Sequence, residues 1–395
     1  MNAKNKFIPF SPPWIGEEEI REVVDTLRSD WITTGPKTRR FEEEFRKFVK
    51  ADSALALSSC TAGLHLALVL HGIRPGDAVI TTPMTFCSGV NVIEQAGALP
   101  VLADVEPRTL NIDPEAVAKI LKSKSSRKKI KAILAVHYAG HPCEMDALMK
   151  LADRYGLKII EDAAHAVPAE YKGKKIGGLG NLTAFSFYGT KNLTTAEGGM
   201  LTGSPRLIEK ARLFSLHGMN RDAWKRYSKE GSWRYDVVAP GFKYNMTDIQ
   251  AALGLVQLRK LPGFQVRRRE IVKHYSHAFS RFPELEIPLE RPYVKSAWHL
   301  YVLRLNPGKT KISRDALIEE LRRKGIGTSV HFIPIHLHSY YKKKYGFKPG
   351  DFPAAYREYQ RLLSLPLYPR MTQADIERVI RAVSESVRGG KALRR

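Results

Sequence analysis

Between about residue 50 and residue 205, short apolar runs rich in β-formers recur along the chain: ALALSS, DAVITTP, LPVLADV, KAILAVHY, LKIIED and TAFSFYG. Runs this short and this continuously apolar predict strands buried on both faces, the signature of a mostly parallel sheet. Between them, CTAGLHLALVLHGI and PCEMDALMKLADRYG repeat apolar residues at helical spacing and end near glycine, which predicts crossover helices. Residues 15–30 and 38–50 read as helices flanking the connector DWITTGPKT. Met246 to Leu261 reads as a further helix that Pro262 and Gly263 should break, with Val266 to Arg281 forming another. From about residue 282 the pattern changes to mixed segments, SAWHLYVLRL and GIGTSVHFIP, and a helix-like Ala354 to Leu363. The expected fold class is therefore α/β: an N-terminal arm and large unit over residues 1–265, and a smaller α+β unit over 266–395.

A length of 395 residues is enough for two such units, and the 43% hydrophobic and 26% charged content is that of a globular chain. The longest apolar stretches, Ala132 to Val136 and Leu64 to Leu70, are too short to cross a bilayer, and the start, MNAKNKFIPFSPPW, lacks an apolar targeting core. A cytoplasmic location without membrane insertion is expected. Three widely spaced cysteines, Cys60, Cys87 and Cys143, fit reduced thiols and no metal cluster. The formal charge of +24 favours anionic partners. The basic runs at Lys122 to Lys131, Arg267 to Arg269, Lys342 to Lys344 and the tail lack the aromatic interleaving of a nucleic-acid surface, so they read as solvated faces.

In open α/β sheets ligands sit beyond the carboxyl ends of the strands, and the chemistry-bearing residues fall there. Asp162 ends the run LKIIED; a buried carboxylate there calls for a cation, and a protonated pyridine nitrogen would suit, although a helix-capping aspartate is an equal reading. Lys191 follows the run TAFSFYG in a stretch rich in Gly, Thr and Asn, where desolvation would free its amine for imine formation. Ser186 offers a hydroxyl to a phosphate or to the backbone. In SSCTAGLHLAL, the amides of Thr61 and Ala62 open a helix and are placed either to bind a phosphate or to take an ordinary cap. Phe86, in TTPMTFCSG, could stack on a planar ring or pack in the core.

Taken in order, WITTGP (31–36), SSCTAG (58–63), AVHYAG (135–140), EDAAHA (161–166), FSFYGTKNLTTAEGG (185–199), PGFKYNMTDIQAALGLVQL (240–258) and AWHLY (297–301) resemble the DegT/DnrJ/EryC1/StrS sugar aminotransferases over nearly the whole chain. The resemblance implies the aspartate-aminotransferase-like fold of pyridoxal 5'-phosphate (PLP) enzymes. It implies that Lys191 forms the imine with PLP and shuttles protons, and that Asp162 pairs with the pyridine nitrogen. Thr61, Ala62 and Ser186 then hold the phosphate, Phe86 stacks on the ring, and His165 lies near the ring and the substrate. By the same likeness Asn245 reaches the cofactor phosphate of a neighbouring subunit, making a homodimer, and Thr33 and His331 contact the sugar nucleotide.

The implied reaction moves an amino group from glutamate to a keto carbon of a nucleotide-linked sugar for cell-surface polysaccharide or lipopolysaccharide. The nearest branch makes UDP-4-amino-4-deoxy-L-arabinose from a UDP-4-keto-pentose, though that branch usually carries tryptophan in place of Phe86. A 4-keto or 3-keto 6-deoxyhexose on UDP, GDP or dTDP is the alternative substrate. Related keto-sugar 3-dehydratases replace the lysine with histidine, which Lys191 argues against. A catalytically silent nucleotide-sugar-binding protein is the alternative of another class.

Overall fold

The computed structural model describes residues 7–123, 129–220 and 235–389. Its centre is a seven-stranded sheet in the order β1-β9-β8-β5-β4-β2-β3. The strands are β1 (Ser53–Leu57), β2 (Ala78–Thr81), β3 (Leu99–Leu102), β4 (Ile130–Val136), β5 (Lys158–Asp162), β8 (Leu182–Ser186) and β9 (Gly199–Gly203). Two short strands, β6 (Glu170–Tyr171) and β7 (Lys174–Lys175), pair with each other outside it. From β3 to β8 the pairings are parallel; β9 inserts antiparallel between β8 and β1. All six runs read as strands from sequence are strands here, and the GMLTG of β9 was hidden behind its glycines.

Period-2 alternation divides the sheet's side chains between two cores. Ile133 and Ala135 of β4 join Phe185, Phe45 and Leu255 on one face. Ala132, Leu134 and Val136 join Ile160, Ala184 and Leu64 on the other, under the helix Cys60–Leu70. That helix is apolar nearly all round, as a helix covered on every side must be.

The expected break at Pro262 and Gly263 does not occur. One helix runs from Asp248 to Phe279 straight through both residues, and so across the boundary drawn at 265/266. Pro262 and Gly263 lie on its solvent side, while Leu258, Leu261, Phe264 and Arg268 face inward. Although Pro262 supplies no N–H to the preceding turn, the buried face holds the axis through it. The Arg267–Arg269 run needs the same correction: Arg268 is only 2% exposed and lies in the core, not on a solvated face.

Beyond this helix, β10 (Leu285–Glu286), β12 (Tyr301–Leu305) and β13 (Leu362–Leu365) form an antiparallel sheet, while β11 (Val294–Lys295) pairs back onto β6. The helices Arg314–Arg323 and Gln373–Arg388 pack with Tyr275 and Phe279 into its core. The stretch expected to be helical from Ala354 to Leu363 is helical over Pro353–Arg361, and Leu362 already belongs to β13. Most of the basic stretch after Lys122, and the tail from residue 390, lie outside the described residues. No helix among the described residues is long and apolar enough to cross a membrane.

Candidate active site

The parallel strands deliver their carboxyl ends to one cavity of about 460 Å3. Thr85 and Phe86 follow β2, Val136 ends β4, Asp162 ends β5, Ser186 ends β8, and Ser59, Cys60 and Thr61 open the helix Cys60–Leu70. Lys191, His165, His299, His331 and Phe332 complete the wall. Seven residues expected from sequence therefore meet here: Lys191, Asp162, His165, Thr61, Phe86, Ser186 and His331.

Strand alternation separates the two carboxylates at the end of β5. Glu161, wholly buried, turns away from the cavity and accepts from His137 Nε2 at 2.9 Å, Asn181 Nδ2 at 2.8 Å and Thr183 Oγ1 at 3.3 Å. Asp162 turns toward the cavity, where its Oδ1 accepts the Ala164 N–H at 3.0 Å and faces the Cys60 thiol at 3.9 Å. Burial pushes the Asp162 carboxyl above its ordinary 3.8, opposed by the Ala164 bond and by the charges of Lys191 and His137. The same desolvation drives the Lys191 amine down from 10.5 to about 8, against the pull of Asp162. Lys191 sits in a turn pinned by its own N–H on the Tyr188 carbonyl at 2.9 Å.

His165 is buried with Nδ1 unbonded, and burial, then Lys191 and His331, hold its pKa well below 6.5. His331 is pushed down to about 4 by burial and by Lys191, and its Nδ1 meets Ser364 Oγ at 2.9 Å. Phe86 is 61% exposed and stands at the mouth, its ring 6.2 Å from that of Phe332. Ser59 caps the helix Cys60–Leu70 by accepting the Ala62 N–H at 3.1 Å, so that amide is used within the chain. Thr61 lies at the same helix end, where dipole and free amides favour an anion.

Ala62, Thr33 and Asn245 are not part of the cavity wall. Thr33 is exposed, its carbonyl accepting from Asp248 N at 2.9 Å, while Asn245 Nδ2 donates to the adjacent Thr34 Oγ1 at 2.6 Å. Sequence reasoning singled out neither Phe10, His299 nor Phe332; His299 stood in the quoted AWHLY, but nothing in a lone histidine said which way it would point.

These residues fit PLP on grounds of their own. Asp162 is a buried carboxyl whose burial is only partly offset, His165 keeps an orphaned nitrogen, a half-buried amine titrates near neutrality, and a helix end faces the same space. A protonated pyridine nitrogen, a phosphate and an aldehyde answer these needs together.

Comparison with known proteins agrees. The model of the DegT/DnrJ/EryC1/StrS aminotransferase family matches residues 13–384. The spore coat polysaccharide biosynthesis protein SpsC of Bacillus subtilis is 50% identical over 391 residues, 98% of this chain and 99% of that one. Spr1654 of Streptococcus pneumoniae, solved in PLP and PMP forms, superposes with a TM-score of 0.89 at 36% identity in the PLP form, over 96% of this chain and 99% of that one. PseC of Helicobacter pylori, an aminotransferase involved in the biosynthesis of pseudoaminic acid, gives 0.88 at 29% identity, over 97% of this chain and all of that one. With a site built for PLP at the carboxyl ends of its sheet, the chain belongs to the DegT/DnrJ/EryC1/StrS aminotransferase family.

Proposed function

We propose that the protein transfers an amino group from glutamate to the keto carbon of a nucleotide-linked sugar, in the cytoplasm, for a cell-surface polysaccharide or lipopolysaccharide. The observation that carries this reading is the convergence of Lys191, Asp162 and the opening of the helix Cys60–Leu70 on one cavity. A sugar as acceptor is supported by SpsC and PseC, whose names tie them to a polysaccharide and to pseudoaminic acid.

Bound here, PLP would supply an aldehyde that takes up the amino group and a ring that draws electrons from the carbon bearing it. Asp162 would keep its charge opposite a ring cation, and Thr61, Ser186 and the helix end would bind the phosphate. Phe86 would cover the ring face at the mouth. Lys191 Nζ, with its pKa near 8, is neutral in a useful fraction at pH 7. It would take the proton from the carbon bearing nitrogen in glutamate and pass it to the cofactor's exocyclic carbon, and would move a proton back the other way, to the sugar carbon, when the keto sugar is aminated. His165 and His331, kept neutral by burial, line the path without adding positive charge that would compete for the amine's proton.

The preferred acceptor is a UDP-4-keto-pentose, giving UDP-4-amino-4-deoxy-L-arabinose, because the motif series follows that branch most closely. Phe86 in place of tryptophan favours a second reading, a 4-keto or 3-keto 6-deoxyhexose on UDP, GDP or dTDP. The active unit is a homodimer with shared sites. Asn245 lies outside its own chain's cavity, and Val237 and Val238, a few positions before it in the chain, are more than half exposed, as an apolar surface that meets a second copy would be. Thr33 and His331 are assigned to the sugar nucleotide. The test incubates the PLP-loaded protein with glutamate and a panel of UDP-, GDP- and dTDP-linked keto sugars, identifying products by mass and NMR. A UDP-linked 4-amino pentose is expected; no amination of any nucleotide-linked sugar would refute the proposal.

A further inference from the structure

We propose that His299 is a positioning residue of this site, held by Asn192 in one tautomer and pressed against His165, so that it fixes how His165 stands beside Lys191. The inference rests on the reading that Lys191 carries the reaction.

The tautomer follows from bonding alone. Asn192 is buried, and its Nδ2 donates to the carbonyls of Val167 at 3.0 Å and Ala297 at 2.8 Å. Both amide protons are thereby used, so Oδ1 is turned to His299 Nδ1 at 3.2 Å and can only accept. The proton belongs to His299 Nδ1, and in the neutral ring Nε2 carries a lone pair. The ring of His299 lies 4.4 Å from that of His165 at 39°. On its other side His165 stacks on Phe332 at 5.8 Å and 19°. No hydrogen bond from the described residues orients the His165 ring; two flanking rings do, and only His299 is itself tethered by a fixed partner.

The backbone is bent to place this ring. Ala139, Gly140 and Trp298 take left-handed φ values of 56°, 96° and 46°, and the two turns bind each other through Ala297 N to Gly140 O at 2.9 Å and His299 N to Ala139 O at 3.1 Å. A Cβ at Gly140 would meet the His165 carbonyl at 2.8 Å. Left-handed backbone is sterically unfavourable at alanine and tryptophan and persists where the surroundings impose it, commonly beside a functional group. From the small sheet's side the guanidinium of Arg268, buried in the core, donates to Trp298 O at 3.3 Å and Leu367 O at 2.8 Å, gripping the loop. The groups facing His299 are Lys191, His165, His331 and Arg268, and burial together with their charges keeps its pKa well below 6.5. A neutral His299 therefore braces His165 without adding a cation.

Brace and mere filler differ in a double-mutant cycle on the PLP-loaded protein, read by the rate at which glutamate bleaches the visible band of the loaded lysine and by the pH midpoint of that band. His299→Ala is expected to slow bleaching about 10- to 100-fold, the range for removing a group that orients a functional imidazole, and to shift the midpoint. His299→Phe, which restores a flanking ring, should recover part of the rate. In a His165→Ala background, His299→Ala should cost nothing further. Additive losses, or an unchanged rate and midpoint in His299→Ala, would overturn the proposal. Should His299→Ala not fold, wild-type protein carrying 15N-histidine serves: a neutral Nδ1–H histidine whose shifts move in His165→Ala is expected, and an Nε2–H tautomer at His299 contradicts it. If the band is absent because Lys191 is never loaded, the functional reading fails; if Lys191 is loaded and the cycle is additive, only the brace fails.

Discussion

Glu161 and Asp162 are neighbours on one strand, both buried carboxylates, and they are met in opposite ways. Glu161 faces His137, Asn181 and Thr183, three side chains that between them satisfy its two oxygens. His137 is fixed as a donor because its Nδ1 already accepts the Cys143 N–H at 3.0 Å. Asp162 has one backbone N–H, a thiol at 3.9 Å, and a carboxyl pushed up by burial. A structural carboxylate is met by the fold itself, whereas a functional one is left in deficit for a ligand to meet.

The largest effect should come from the amine on which the deficit side depends. Lys191→Ala is expected to lower amination about 10^4-fold, the upper range for losing a positioned acid–base group, with unchanged thermal unfolding of the cofactor-free protein. Next, the two carboxylates should part company in stability. Glu161→Gln can keep an oxygen for Asn181 and Thr183 but sets its amide donor against the His137 Nε2 donor, and should cost about 2 kcal/mol in a denaturant titration. Asp162→Asn should cost nothing in the cofactor-free protein at pH 7. Because its folded pKa is raised, the carboxyl destabilises the fold once pH rises through that value, and asparagine escapes the charge while keeping the Ala164 bond. Equal losses in both variants would erase the contrast. The smallest effect is reserved for Phe86→Trp, which keeps a flat ring at the mouth and should change glutamate turnover by no more than about threefold while shifting preference among keto sugars.

Much of this was legible in the chain. The apolar runs named the strands, and Asp162 and Lys191 stood out because a strand-end carboxylate and a lysine in a Gly/Thr/Asn turn both need explaining. What escaped was whatever depended on distant packing. Pro262 and Gly263 spell a helix break locally, and only the buried face from Leu258 to Arg268 overrides them. Arg268 read as one of a charged triplet, and its burial appears only when the loop at Trp298 closes over it. His299 lay inside a quoted motif, yet its direction is decided by Asn192, 107 positions earlier in the chain.

The central claim is that Lys191 is the amine that loads PLP. Borohydride reduction of the PLP-treated protein followed by peptide mass mapping tests it most directly. The account requires a single reduced adduct on Lys191, lost in Lys191→Ala, with loading that rises through pH 8 in step with an amine titrating there and not near 10.5. A protein that takes up no PLP, or one labelled on a different lysine while Lys191 stays unmodified, would contradict it.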